Sequence, residues 1–212
     1  MTRTARFDIS PRRPGTMFPC VFTYATPEYR EHVDRLRESM RRTNAGIDFI
    51  VYDRPTRNSW VGNCAQKADV FVEHVGKHRR PSLWVDADAT VEADLIPFFV
   101  ETWKAKADVA VCRPTPGRTW PRVQSRLLSG TVFVDGRVKV VEEIVRAWSQ
   151  AAKKFPDALD QETLFETLAA FPAARVVDLD PRLVCIRDLM PDVVDPIIIH
   201  HQASRTMKDR IG

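Results

Sequence analysis

Short apolar runs alternate along this chain with longer stretches in which apolar residues recur every three or four positions, so strands and helices are predicted in turn. Cys20, Val21 and Phe22 open a strand over residues 20–24. A helix is expected to start near Thr26-Pro27-Glu28, where a hydroxyl suited to capping precedes a proline at the first helical position. A strand over 49–52, a helix over 63–76 and a strand over 83–85 continue the alternation. Beyond Asp88 the pattern loosens into a helix over 95–105, a strand over 108–112 and a long loop over 113–126. A strand over 127–134, an amphipathic helix over 139–153 and a helix over 160–170 with an acidic first turn follow. Strands over 175–178, 183–186 and 197–200 close the core. This order predicts an α/β fold with a mostly parallel central sheet flanked by helices. Residues 1–16 are expected to form an irregular basic arm, and 17–212 one domain.

One apolar run ends abruptly. Leu83, Trp84 and Val85 read as a fully buried strand, and Asp86-Ala87-Asp88 follows at once. In an open parallel sheet the chemistry gathers outside the carboxyl ends of the strands. Two carboxylates held there repel each other unless a cation lies between them. A divalent ion that also binds phosphate oxygens meets that need, because Mg²⁺ and Mn²⁺ are held by one or two protein carboxylates plus substrate oxygens.

Charge and composition narrow the ligand without naming it. The 212 residues carry 32 Lys plus Arg against 28 Asp plus Glu, a net charge of +4, which suits an anionic ligand but does not demand nucleic acid. Cys20, Cys64, Cys112 and Cys185 are widely spaced with no Cys-x-x-Cys pair, so reduced core thiols and a cytoplasmic location are expected. The amino-terminal residues lack an apolar signal core, and no run approaches the roughly 18 apolar residues of a membrane span.

Four segments together resemble the small GT-A glycosyltransferases, which transfer a sugar from a nucleotide-sugar donor. Thr23-Tyr24-Ala25 resembles the first strand-turn, which in that family lies under the base and ribose. Lys67, on the helix before the aspartates, is placed by the resemblance towards the donor phosphates. Asp86-Ala87-Asp88 resembles the Asp-x-Asp motif, which implies a Mn²⁺ or Mg²⁺ ion and contacts to ribose and diphosphate. His200-His201 resembles the carboxy-terminal histidine that completes the metal shell, with Arg205 and Lys208 after it for the diphosphate. Which of the two histidines ligates is left open. A UDP-sugar is the donor the resemblance favours.

Two further segments would form the acceptor side. Ser129-Gly130 resembles the strand beneath the transferred sugar, where glycine permits close approach. Asp160-Gln161-Glu162 resembles an Asp-Gln motif at a helix start. If the enzyme inverts configuration, Asp160 or Glu162 is the natural general base, with Asp88 beside the reacting centre. The acceptor is unknown. A modified base in DNA is one candidate, with Arg113, Arg118, Arg122 and Arg126 to grip phosphates and Trp120 as a wedge. Asp86-x-Asp88-x-Thr90 also satisfies the signature of haloacid-dehalogenase-like phosphatases, with Asp86 as nucleophile. Against this, the motif follows the third strand and lacks the downstream acidic loop of that family. A sugar-1-phosphate nucleotidyltransferase would open with a glycine-rich loop where this chain has Tyr24-Ala25-Thr26-Pro27. A non-catalytic nucleic-acid-binding module, suggested by Arg35, Arg37, Arg41 and Arg42, is the remaining alternative.

Overall fold

A computed structural model describes the backbone of residues 4–6 and, with side chains, residues 18–114, 120, 123–203 and 205. The central sheet is built from β1 (Thr4–Arg6), β2 (Cys20–Ala25), β3 (Asp48–Asp53), β4 (Pro81–Val85), β6 (Val109–Cys112), β7 (Leu128–Asp135) and β8 (Val176–Asp178), in the order β1-β3-β2-β4-β7-β6-β8. Strands β2, β3 and β4 are mutually parallel, as are β6 and β8; β1 and β7 run against their neighbours. The expectation of a mostly parallel sheet holds, with two reversed strands. One of them is a correction at the amino terminus, where Thr4–Arg6 extend the sheet edge within the arm expected to be irregular; the rest of residues 1–16 lies outside the described residues.

The helices α1 (Arg30–Thr43), α2 (Trp60–His78), α3 (Ile96–Lys104), α4 (Lys139–Lys154) and α5 (Asp160–Ala169) cover the sheet. Alternation along each strand divides the core into two layers. Val21, Leu83, Val85 and Phe133 face one apolar cluster, whereas Phe22, Trp84, Val132 and Val134 face the other, packed with Phe71 of α2 and Trp148 of α4.

Three local expectations are corrected. Thr26 makes no side-chain capping bond, and a 3-10 turn, Pro27–Tyr29, precedes α1. Residues 183–186 are not a strand: a 3-10 turn covers Pro181–Leu183 and one isolated bridge joins Cys185 to Ile199, so their apolar character reflects burial alone. Residues 198–200 form β9 (Ile198–His200), which pairs not with the main sheet but antiparallel with β5 (Ala89–Val91) in a separate two-stranded ribbon.

That ribbon matters because β5 begins directly after the two aspartates. Its register sets Ala89 opposite His200, and the amide of His201 donates to the Asp88 carbonyl at 3.0 Å. The carboxy-terminal histidines are thereby tied to the end of β4.

Candidate active site

A cavity of about 320 Å³ opens over the carboxyl ends of β2 and β4. Because β7 runs antiparallel to β4, its amino-terminal end meets the same edge, which brings Ser129 and Gly130 under the cavity. The amide of Asp86 donates to the Gly130 carbonyl at 2.8 Å, so the two segments are laced together. The chain turns back at once, with the Ala89 amide donating to the Asp86 carbonyl at 3.1 Å.

Ligand atoms of Asp86, Asp88 and His200 all lie within 4.8 Å of one another. Period-2 alternation selects the histidine: His200 is buried, whereas the neighbouring ring of His201 is exposed and hydrogen-bonds Thr90 Oγ1 at 2.9 Å. The structure therefore separates the two, and among the described residues His201 is not part of the cluster. Hydrogen bonds also assign the His200 tautomer. Thr131 Oγ1 donates its only proton to the Leu183 carbonyl at 2.7 Å, so at 2.9 Å it must accept from His200 Nε2–H, leaving Nδ1 unprotonated. Burial, reinforced by Lys67 and opposed by Asp88, holds the His200 pKa down to about 4, which keeps the ring neutral. Gly130 makes room for it, since a Cβ there would come within 2.8 Å of His200 Cε1 and 3.0 Å of Nδ1.

Beside this trio lies a buried ion-pair network. Lys67 Nζ sits 2.9 Å from Asp86 Oδ1 and 2.7 Å from Asp160 Oδ2, and donates to the Ser129 carbonyl at 3.3 Å. Asp160 Oδ2 also accepts from Ser129 Oγ at 2.7 Å, and Asp86 Oδ1 from Trp84 Nε1 at 2.8 Å. Burial alone would lower the Lys67 pKa, but Asp160 and Asp86 outweigh it and hold it up. Burial lifts Asp86 to about 6, with Asp88 and Asp160 adding to the rise and Lys67 opposing it. Two carboxylates flank the one ammonium and Asp88 lies beside Asp86, so three carboxylates meet one cation and two negative charges go uncompensated. Two carboxylates and a neutral imidazole nitrogen, in a pocket with that excess, fit a divalent transition ion or Mg²⁺.

The other sequence candidates fall in different places. Tyr24 lines the cavity and donates to the Asn63 carbonyl at 2.7 Å, but Thr23 and Ala25 are buried beneath it. Glu162 is exposed and its carboxylate accepts from the Leu159 amide at 3.2 Å; it caps α5 and does not line the cavity. Arg205 pairs with Asp188 rather than facing the cavity. Lys208, Arg118 and Arg122 lie outside the described residues. Trp120 is 5% exposed and part of the core, so it anchors its loop and is not placed as a wedge. Gln161 lines the cavity as the Asp-Gln resemblance implies, whereas Tyr29, Trp60, Asn63 and Thr131 received no role from the sequence. Trp84, read only as a strand residue, carried a further signal, since a buried indole N–H needs an acceptor and Asp86 stands two residues on.

In sequence, no protein family matches the chain and no curated protein matches it significantly. Solved structures do match in fold. A glycosyltransferase involved in glycosylation of the major capsid of PBCV-1 superposes with a TM-score of 0.71 at 19% identity, covering 91% of this chain and 98% of that one. The glycosyltransferase GlyE of Streptococcus pneumoniae TIGR4 gives 0.61 at 13% identity over 86% of this chain and 55% of its own. The galactosyltransferase LgtC, solved with donor and acceptor sugar analogues, gives 0.55 at 11% identity over 90% and 93%. The fold of this chain is therefore that of the small GT-A-type glycosyltransferases. No helix among the described residues is long and apolar enough to cross a membrane.

Proposed function

We propose that the chain is a metal-dependent glycosyltransferase that moves a sugar from a nucleoside-diphosphate sugar, with uridine as the expected base, to an acceptor hydroxyl. The observation that carries this reading is the convergence of Asp86, Asp88 and His200 beside the Lys67–Asp160 pair, under a cavity at the strand ends. Asp86, Asp88 and His200 Nδ1 hold the ion. When bound, Mn²⁺ or Mg²⁺ neutralises charge developing on the departing diphosphate.

The rest is done by the chain itself. Tyr24, Tyr29 and Trp60 line one end of the cavity as aromatic walls for the nucleoside. Asn63 Nδ2, buried without a hydrogen-bond partner, offers that end a donor. In the reaction the bond from the anomeric carbon to the diphosphate breaks, a new bond to the acceptor oxygen forms, and the acceptor's proton passes to Asp160 or to the departing nucleoside diphosphate. Asp160, held by Lys67 and Ser129, contacts the donor sugar or the acceptor hydroxyl. Lys67 is a positioning residue, since its ammonium is occupied by Asp86, Asp160 and Ser129. Thr131 fixes the tautomer of His200. A haloacid-dehalogenase-like nucleophile at Asp86 gains no support from the fold, since the solved structures that match it are glycosyltransferases.

Calorimetric titration with a panel of nucleotide sugars, each with Mn²⁺ and with chelator, tests the reading. One donor is expected to bind only with metal, and Asp88→Asn to abolish that binding while the fold is kept. Silence across the panel, with hydrolysis of a simple phosphomonoester, would instead favour the phosphatase.

A further inference from the structure

A second, larger hollow of about 730 Å³ lies between α4, α5 and residues 124–127. That volume falls within the usual range for small-molecule sites. It shares Gln124, Ser125, Leu159 and Gln161 with the cavity over Asp86, so those four residues form a partition between the two. The partition is thin and polar: Gln161 Nε2 donates to Ser125 Oγ across it. Asp160, the residue before Gln161, lines the cavity on the far side.

The walls of the hollow are apolar. Ala147 and Ala151 of α4 leave space through their small side chains, and Phe155, Phe165 and Phe171 supply aromatic surface. Phe155 is 52% exposed at the side of the hollow. No cation is left free there: Arg126 pairs with Glu166 at 2.6 Å and lies over the Phe165 ring at 4.0 Å, so the guanidinium is already occupied, and the Glu162 carboxylate at the rim leaves the lining with one net negative charge. Such a hollow has nothing to offer a phosphodiester and much to offer a neutral apolar group.

We propose that this hollow is the acceptor side of the site, and that it holds the aromatic or short aliphatic portion of a small neutral acceptor. The acceptor's hydroxyl reaches over the Gln161–Ser125 partition to the donor sugar beside Asp160. The proposal rests on the glycosyltransferase reading for its use but on the hollow alone for its ligand class. Gln161 becomes a specificity-determining residue that orients the hydroxyl, and Ala151 marks the floor on which the apolar portion packs.

The experiment compares the binding of 4-nitrophenyl β-glucoside and methyl β-glucoside, by ligand-observed NMR titration, to the wild type, Ala151→Trp and Phe155→Ser. These substitutions act in opposite senses, one filling the hollow and one removing a wall, and both positions are partly or fully exposed, so folding is retained. The wild type is expected to bind the nitrophenyl glycoside about tenfold or more tightly than the methyl glycoside, as burial of an aromatic ring implies. Both variants should lose most of that preference while keeping their melting temperature and metal-dependent nucleotide-sugar binding. Equal affinity for the two glycosides in the wild type overturns the proposal, as does a preference that survives in both variants. If no nucleotide sugar binds but the preference appears and vanishes as expected, the hollow stands as an apolar-ligand site and the transferase reading falls.

Discussion

At the residue scale, the most consequential contact is between a glycine and a histidine. A methyl group at position 130 would sit 2.8 Å from His200 Cε1, too close for any real contact, so the ring must move. Gly130→Ala is expected to weaken Mn²⁺-dependent nucleotide-sugar binding by about 10- to 100-fold, the usual effect of disturbing a ligand's support. Thr131→Val, which removes the group that fixes the tautomer, should do the same with little loss of fold, whereas His201→Ala should leave binding unchanged. Calorimetry with and without chelator checks all three, and a His201→Ala protein that lost binding would reverse the assignment of the two histidines.

A second histidine matters for stability instead. His74 is buried, stacked on Phe22 at 3.8 Å, and hydrogen-bonded to Tyr52 Oη at 3.0 Å and Ser82 Oγ at 2.9 Å. Burial, with His78 and Arg80 adding to it, pushes its pKa well below the usual value. Below about pH 6.5 the unfolded chain takes up a proton here that the folded one refuses. Its contribution to stability is therefore complete above that pH and is lost as pH falls towards the depressed folded value. Thermal melts between pH 7 and pH 5, settings chosen to span that fall from about 6.5, should show a shallower decline for His74→Gln than for the wild type. Parallel curves for the two proteins would mean that other groups dominate acid unfolding.

At the scale of elements, Lys67 is the fastening. It projects from α2 to the end of β4 through Asp86, to the start of α5 through Asp160, and to β7 through Ser129. Lys67→Met strands two carboxylates without their cation, so urea unfolding should register a loss of about 3–5 kcal/mol. Adding Asp160→Asn to that variant should recover part of the loss. A change under about 1 kcal/mol would mean that the pair behaves like a surface ion pair. None of this fastening was legible beforehand, because a lysine on an amphipathic helix looks the same whether it faces water or a buried carboxylate. The elements themselves were more legible. β2, β3, β4, α2 and α4 each announced themselves by apolar runs or by a 3.6-residue period, and Asp86 and Asp88 stood out because the run before them stopped so sharply. What stayed hidden was direction and partnership. The apolar pattern of β7 records burial on both faces and says nothing about its antiparallel course. The β5–β9 ribbon consists of strands only three residues long, too short for any period, yet its register is what delivers His200 to the aspartates.

At the scale of the whole molecule, several arginines among the described residues are paired locally. Along α1, Arg37 pairs with Asp34, Arg41 with Glu38 and Arg42 with Glu92, and elsewhere Arg113 pairs with Asp178. Among the described residues, a local excess of negative charge gathers at the strand ends, where Asp86, Asp88 and Asp160 outnumber Lys67. Folding brings Asp86, Asp88 and His200 together and the unfolded chain disperses them, so an ion held by all three favours the folded state. Mn²⁺ at a hundredfold excess over its Kd should therefore stabilise the protein by about 2.7 kcal/mol. For a chain of this size that is a rise in Tm on the order of 5–10 °C. Chelator should return the Tm to its starting value, and Asp88→Asn should show no rise. The variant also separates specific binding from general charge screening, since an NaCl control of matched ionic strength acts on both proteins alike. A Tm that climbs equally in wild type and Asp88→Asn would place the ion elsewhere on the surface and detach the metal from the cavity that Asp88 and His200 enclose.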